Sequence, residues 1–555
     1  MKKIQLILIV FIWMCSCSNR TPQYKAMVVS AHPEATKIGI EVLKKGGNAI
    51  DAAVAVEYAL AVCYHSAGNI GGGGFMVYRS AEGKYDALDY RETAPLNAYR
   101  DMYLDKNGNV IDRLSLEGGL AVGVPGSVDG IFQKHEKYGT MPMKELIQYS
   151  IDLAKNGFEI THQQAKKFNS NRILFNKVSP NNSYLRQKDN WFVGDSLIQP
   201  DFAATLERIR DLGRDGFYKG YTAEAIVASI NNAGGIMSLD DLASYKSIWR
   251  KPVIASYKNH KFISMPPPSS GGIALFQLLN ILESYNIDTF EHNSAAYIHL
   301  LTESQRRVYA DRNTHLGDPD FYQIPLLALT DSLYILSRMS NYNPNYATRS
   351  HLVKAGQFKE ESEETTHFSI VDRSGNAVSI TTTLNSSYGS KLFVDKCGFL
   401  LNNEMDDFSA KPGIANQYGL VGNKANSIAP NKRMLSSMTP TIVEKDNKLL
   451  MVLGSPGGST IITSVLQNIL NVITFGMDMQ TAVDAPRFHH QWLPDLIYFE
   501  EGRFDSVLLE EVKNYGQRVM QRTAIGRVDA ILVNKDGTLQ GGADKRGDDF
   551  KMGIE

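Results

Sequence analysis

Residues 359–383 read K-E-E-S-E-E-T-T-H-F-S-I-V-D-R-S-G-N-A-V-S-I-T-T-T, and the junction between Glu364 and Thr365 decides the fold. Before it lies an acidic run of low hydrophobicity, a composition that stays solvated and mobile. After it, residues 368–371 and 377–383 are rich in Val, Ile and Thr and read as two strands. A threonine hydroxyl is a poor nucleophile unless a base lies beside it. A chain that begins at threonine supplies its own base, because a free α-amine titrates near ~8 while a peptide nitrogen is not basic. Cutting the Glu364–Thr365 bond would therefore create a catalyst. Thr-Thr at the head of a strand is common, so the junction needs support from the rest of the chain.

Upstream, residues 26–30 read as a strand and the following stretch to Ala61 as two helices. Gly46 and Gly47 end the first, and Asn48 caps the second. The second helix is Ala-rich and apolar most of the way round, which predicts burial. Gly71 to Gly74 then lead into a strand at 75–79. A phosphate loop would follow a strand, open a helix and carry Lys-Ser/Thr. This run follows a helix and enters a strand, so close backbone packing is its reading. Residues 115–350 read as mainly helical, punctuated by P-P-P-S-S-G-G at 266–272. Beyond His367 further short strands are expected at 441–443, 449–453 and 530–533. Strands with helices outside them predict an α+β fold of stacked sheets flanked by helices.

Composition narrows the function. With 43% hydrophobic residues and a net charge of -1, the 555-residue chain is globular rather than disordered. The balance of 58 Lys+Arg against 59 Asp+Glu provides no footprint for nucleic acid. There is no Gly-x-Ser-x-Gly elbow, His-Glu-x-x-His or paired Cys-x-x-Cys, so neither an α/β-hydrolase serine nor zinc has an obvious home. At the N-terminus, Lys2 and Lys3 precede an apolar run at 4–14, too short for a bilayer but suited to a signal peptide. Cys17, preceded by small Ser16, resembles the lipidated cysteine of a bacterial lipoprotein signal; an ordinary signal peptide with incidental cysteines is the alternative. Either reading implies export. Cys63 and Cys397 remain, and are expected to be buried free thiols rather than a disulfide.

Several segments occur in order: A-G-N-I-G-G-G-G-F-M (67–76), D-Y-R-E-T-A-P (89–95), P-P-P-S-S-G-G-I (266–273), Y-A-D-R (309–312), G-D-P-D-F (317–321), the stretch from Thr365, L-L-N-N-E-M-D-D-F-S (400–409), L-S-S-M-T-P-T (435–441) and G-S-P-G-G-S (454–459). With these, the chain resembles the γ-glutamyltransferases (γ-glutamyltranspeptidases) from about Met27 to Arg546. The resemblance implies the four-layer αββα sandwich of the N-terminal nucleophile hydrolases. It implies a precursor that cleaves itself before Thr365, giving a large subunit (18–364, or one residue longer if Cys17 itself starts it) and a small catalytic one (365–555) after a signal region (1–17). The Thr365 hydroxyl would then attack the γ-carbonyl of glutathione or a related γ-glutamyl compound. Water, an amino acid or a dipeptide would resolve the acyl-enzyme, and no metal or organic cofactor is implied.

Carried over residue by residue, the resemblance makes Thr383 a hydroxyl partner of Thr365, and gives Gly457 and Gly458 the backbone N–H groups for the oxyanion. Arg91, Ser436 and Ser437 match the residues that hold the substrate α-carboxylate. Glu404 and Asp407 match the pair that takes the α-ammonium, and Asn385 a further polar contact. Read alone, Glu404-Met405-Asp406-Asp407 would be a solvated turn. Residues 411–433 resemble a lid loop with Tyr418 as its gate. Asp407 favours an amino-bearing γ-glutamyl group over the glutaryl chain of the related cephalosporin acylases. Those acylases, and an inactive uncleaved binding protein, are the rival readings. The chain departs from the family pattern at His65-Ser66-Ala67-Gly68 and at Asp544-Lys545-Arg546, which bears on local loop geometry.

Overall fold

The computed structural model describes residues 22–180, 182, 187–353, 365–411, 414, 417, 420 and 424–555. Cys17, Tyr418 and the acidic run at 359–364 lie outside the described residues.

Two antiparallel sheets form the centre. The first has seven strands in the spatial order Phe550–Ile554, Ala26–Ser30, Thr366–Val371, Ala377–Thr383, Gly73–Arg79, Tyr85–Asp89, Ile248–Arg250. The second has six, in the order Leu539–Gly542, Asp529–Val533, Lys448–Gly454, Thr441–Lys445, His260–Ser264, Val253–Tyr257. The expected strands fall where the pattern put them, within one or two residues. The hairpin Val253–Ser264 lies inside the region read as mainly helical and adds two strands to the second sheet.

Alternation along the strands divides the core into two. On Gly73–Arg79, Met76 and Tyr78 face one cluster with the helix Ala49–Cys63, while Phe75 and Val77 face the other sheet. Helices Pro33–Lys44, Ala49–Cys63 and Ser127–Tyr138 cover the outside of the first sheet, and Met143–Asn156 packs on Ala49–Cys63. Gly271–Ser284 and Thr460–Ile473 cover the second, and Ala295–His315 packs on Gly271–Ser284. The architecture is a four-layer αββα sandwich. Every residue of Ala49–Cys63 is buried, as its apolar circumference predicts. Its start is fixed by a capping box: the Asn48 Oδ1 accepts from Ile50 N (2.9 Å) and Asp51 N (3.0 Å), and the Asp51 carboxylate accepts from Asn48 N (2.9 Å).

Hydroxyls peg the two sheets together close to Thr365. Ser369 Oγ donates to the Asp529 carbonyl (3.0 Å), and Ser379 Oγ to that of Leu453 (3.0 Å). His367 lies in the same seam against Thr381 Oγ1 (2.9 Å). A Cβ on Gly454 would come 2.3 Å from the imidazole, so only glycine lets it in. Burial pushes His367 down to about 3, which makes it a neutral strut. Cys63 and Cys397 are buried free thiols. Among the described residues no helix is long and apolar enough to cross a membrane.

Candidate active site

Thr365 immediately precedes the strand Thr366–Val371, third of seven in its sheet. Thr383 ends the neighbouring strand, and its register partner is Gly73. The glycine run makes that junction possible: a Cβ on Gly72 would come 2.1 Å from the Thr383 carbonyl oxygen. Asn69 ties the same point, donating from Nδ2 to that carbonyl (2.8 Å) and accepting from Gly72 N (2.8 Å).

Two cavities meet at Thr365 and share no other lining residue. The first, about 20 Å³, brings Thr365, Thr383, Asn385, Ser436, Ser437 and Gly458 together with Arg91, Glu404 and Asp407. The second, about 150 Å³, lies on the Gly457 side. Every expected site residue within the described chain therefore lines one cavity or the other. Tyr418 lies outside the described residues, but Leu420 from the same loop borders the first cavity.

The first cavity is crowded with charge. Arg91 is 1% exposed, and its two terminal nitrogens reach Glu404 Oε2 and Asp407 Oδ2, each at 2.5 Å. Glu92 Oε2 lies 3.6 Å from the same guanidinium. Burial raises Glu404 to about 8, with Arg91 opposing and Asp407 reinforcing the shift. Burial, then Glu404, holds Glu92 well above the carboxylate range. Residues 404–407 form one buried 3₁₀ turn rather than a solvated one, because Arg91, more than 300 positions earlier, neutralises it.

The serines are fixed by the proline-rich segment. Ser436 N donates to the Pro268 carbonyl (2.9 Å), and Ser270 N to that of Ser436 (2.7 Å). Arg312 was given no role from sequence, yet it lines this cavity and bonds Ser437 Oγ through Nη2 (2.9 Å) and Ser270 Oγ through Nε (3.1 Å). Glu92 and Asn69 were missed as well. All three sit inside segments that carry the family resemblance, Asn69 in 67–76, Glu92 in 89–95 and Arg312 in 309–312, and that placement is their signal in the sequence.

Gly457 and Gly458 turn the chain from Lys448–Gly454 into the helix Thr460–Ile473, with φ of 128° and 52°. Both values suit glycine, and the turn presents backbone N–H groups at the head of a 14-residue helix. Asn385, also at positive φ (72°), donates its amide N–H to Thr383 Oγ1 (2.7 Å) and Nδ2 to the Asn403 carbonyl (2.9 Å).

A four-layer sandwich with a threonine at the head of a central strand is the architecture of the N-terminal nucleophile hydrolases. The cephalosporin acylase from Bacillus halodurans shares this fold, with a TM-score of 0.83 at 23% identity over 99% of this chain and 100% of that one. The Helicobacter pylori gamma-glutamyltranspeptidase is 44% identical, with a TM-score of 0.59, covering 61% of this chain and 97% of that chain. A glutathione hydrolase proenzyme of Escherichia coli (strain K12) is 45% identical over 533 residues, 95% of this chain and 92% of that protein. The family model described as Gamma-glutamyltranspeptidase matches residues 35–554. The chain belongs to the gamma-glutamyltranspeptidase family.

Proposed function

We propose that the protein is a γ-glutamyltransferase and glutathione hydrolase, made as a precursor that cuts itself before Thr365. The large subunit, 18–364 or one residue longer with lipidated Cys17 as its first residue, and residues 365–555 then form one two-subunit enzyme. The new α-amine of Thr365 accepts the proton of its own hydroxyl, and Oγ attacks the γ-carbonyl of the donor. The N–H groups of Gly457 and Gly458 hold the oxyanion; one such donor contributes about 2.7–4 kcal/mol to the transition state. The C–N bond breaks, the departing amine takes the proton, and a γ-glutamyl ester remains on Thr365. Water hydrolyses it, or the amine of an amino acid or dipeptide accepts the acyl group. Thr383 steadies the nucleophile, and no step needs a metal or organic cofactor.

The observation that carries this reading is the Arg91–Glu404–Asp407 cluster beside Thr365. A γ-glutamyl head brings one carboxylate and one ammonium. Its carboxylate replaces the acids on Arg91, with Ser436 and Ser437 as further partners, and its ammonium replaces Arg91 on Glu404 and Asp407, with Asn385 beside them. Ion pairs are exchanged rather than lost, so no buried charge is stranded. A glutaryl chain lacks the ammonium and would leave Asp407 uncompensated.

Two features outside the described residues complete the proposal. Tyr418 gates the cavity, and the signal region at 1–17 exports the protein, with Cys17 carrying a lipid that anchors it to the cell envelope. Denaturing electrophoresis with N-terminal sequencing is expected to give a fragment starting at Thr365, whereas a lasting full-length band identifies an inactive binding protein. Purified enzyme is expected to turn over γ-glutamyl-p-nitroanilide far faster than glutaryl-p-nitroanilide; the reverse preference would make it an acylase.

A further inference from the structure

The second cavity has a chemistry of its own. Lys167, Arg527 and Arg546 line it together with Thr365 and Gly457, and no carboxylate is among its described lining residues. Arg546 is already committed, pairing with Glu500 and Asp544. Arg527 is held but not saturated. Its Nη1 donates to Tyr64 Oη (2.6 Å), its Nε faces Asp549 Oδ2 (3.0 Å), and its guanidinium lies 4.9 Å from the centre of the Tyr64 ring. Its Nη2 is buried and meets no hydrogen-bond acceptor among the described residues. A buried N–H of a charged group without an acceptor is costly to leave in that state.

The backbone places this arginine against the turn that would hold the oxyanion. Arg527 N donates to Ser455 Oγ (2.9 Å), two residues before Gly457. A Cβ on Gly457 would come 3.2 Å from the Gly526 Cα, and one on Gly547 would come 2.3 Å from the Arg527 Cδ. Gly457 thus lets the oxyanion turn pack on the backbone beside Arg527, and Gly547 lets the chain close against the Arg527 side chain.

We propose that this cavity receives the amine half of the substrate, and that Arg527, assisted by Lys167, selects amine halves that end in a carboxylate. The inference rests on the functional reading above. With the γ-glutamyl head in the first cavity and its carbonyl over Thr365, the C–N bond points across Thr365 into the second. When that bond breaks, the leaving amine takes the proton released by Thr365 and departs through this cavity. By microscopic reversibility an acceptor amine enters by the same route, loses a proton and re-forms an amide. Its terminal carboxylate supplies the acceptor that Arg527 Nη2 lacks, in a charge-assisted bond.

The test uses the processed enzyme and γ-glutamyl-p-nitroanilide, whose leaving group has no carboxylate. As acceptors at equal free-amine concentration, glycylglycine is expected to exceed glycylglycinamide in kcat/KM by about tenfold, the ordinary worth of one hydrogen bond to a charged group. In Arg527→Gln that preference, and the ratio of kcat/KM for glutathione to that for γ-glutamyl-p-nitroanilide, are each expected to fall about tenfold. Lys167→Gln, a half-buried substitution on a helix, moves both in the same direction by less. Equal use of the two acceptors by the unsubstituted enzyme, or ratios unchanged in both variants, would overturn the inference. Failure to cleave γ-glutamyl-p-nitroanilide at all would instead defeat the functional reading beneath it.

Discussion

The two cavities that meet at Thr365 handle charge in opposite ways. In the tight one, of about 20 Å³, Arg91 is bound on both terminal nitrogens by acids of its own chain. In the roomier one, of about 150 Å³, cations gather with no acid among the described lining residues. The first can admit only a guest that replaces the partners it displaces, which is selection by exchange. The second offers the guanidinium of Arg527, whose Nε faces Asp549 but whose Nη2 meets no acceptor among the described residues, and so selects by one charged donor and discriminates less by shape. Stringency on one side and tolerance on the other suit a transferase with one donor head and many acceptors.

The contrast can be broken outright at its shared edge. Thr365→Ala is expected to abolish both self-cleavage and turnover, a loss of about 10⁴-fold or more, because the reacting oxygen itself is removed; Thr365→Ser keeps part of both. A single full-length band on a denaturing gel checks the alanine variant. Asp407→Asn sharpens the contrast instead. It is expected to lower kcat/KM about a hundredfold, as when one partner of a buried charged pair is removed. The loss should be equal for glutathione and γ-glutamyl-p-nitroanilide, which share the same head, whereas Arg527→Gln separates them.

A smaller effect follows from Glu404. Burial holds this acid at about 8, and a bound ammonium favours its ionised form, so donor binding expels a proton. The donor KM is therefore expected to fall as pH rises towards 8, by no more than about tenfold per unit, and to flatten above it. Initial-rate titrations check this, and Glu404→Gln removes the slope. Least of all, Asn48→Ala should lower stability by about 1 kcal/mol through loss of its cap and leave both cavities' preferences alone, as denaturant melts and the same substrate pairs would show.

What the sequence disclosed was mostly local. Val, Ile and Thr runs located the strands around Thr365, and Gly46-Gly47-Asn48 located a helix boundary, because those signals act over a few residues. The hairpin Val253–Ser264 escaped because Lys258, Asn259 and His260 at its tip interrupt two short apolar runs within a helical stretch. The turn at 404–407 read alone as solvated, since nothing nearby announces that Arg91 neutralises it from the other half of the chain. Arg312 and Arg527 show the same limit. Their importance comes from what the fold brings beside them, Ser437 in one case and Tyr64 with Asp549 in the other.

Both sheets interleave strands from either side of residue 365: Ala26–Ser30 beside Thr366–Val371 in one, His260–Ser264 beside Thr441–Lys445 in the other. A backbone break at that point would leave two fragments laced through each other. Dilution, which separates ordinary complexes, could not part them without opening every ladder. Halves synthesised apart would each expose bare strand edges and stick to themselves before finding one another.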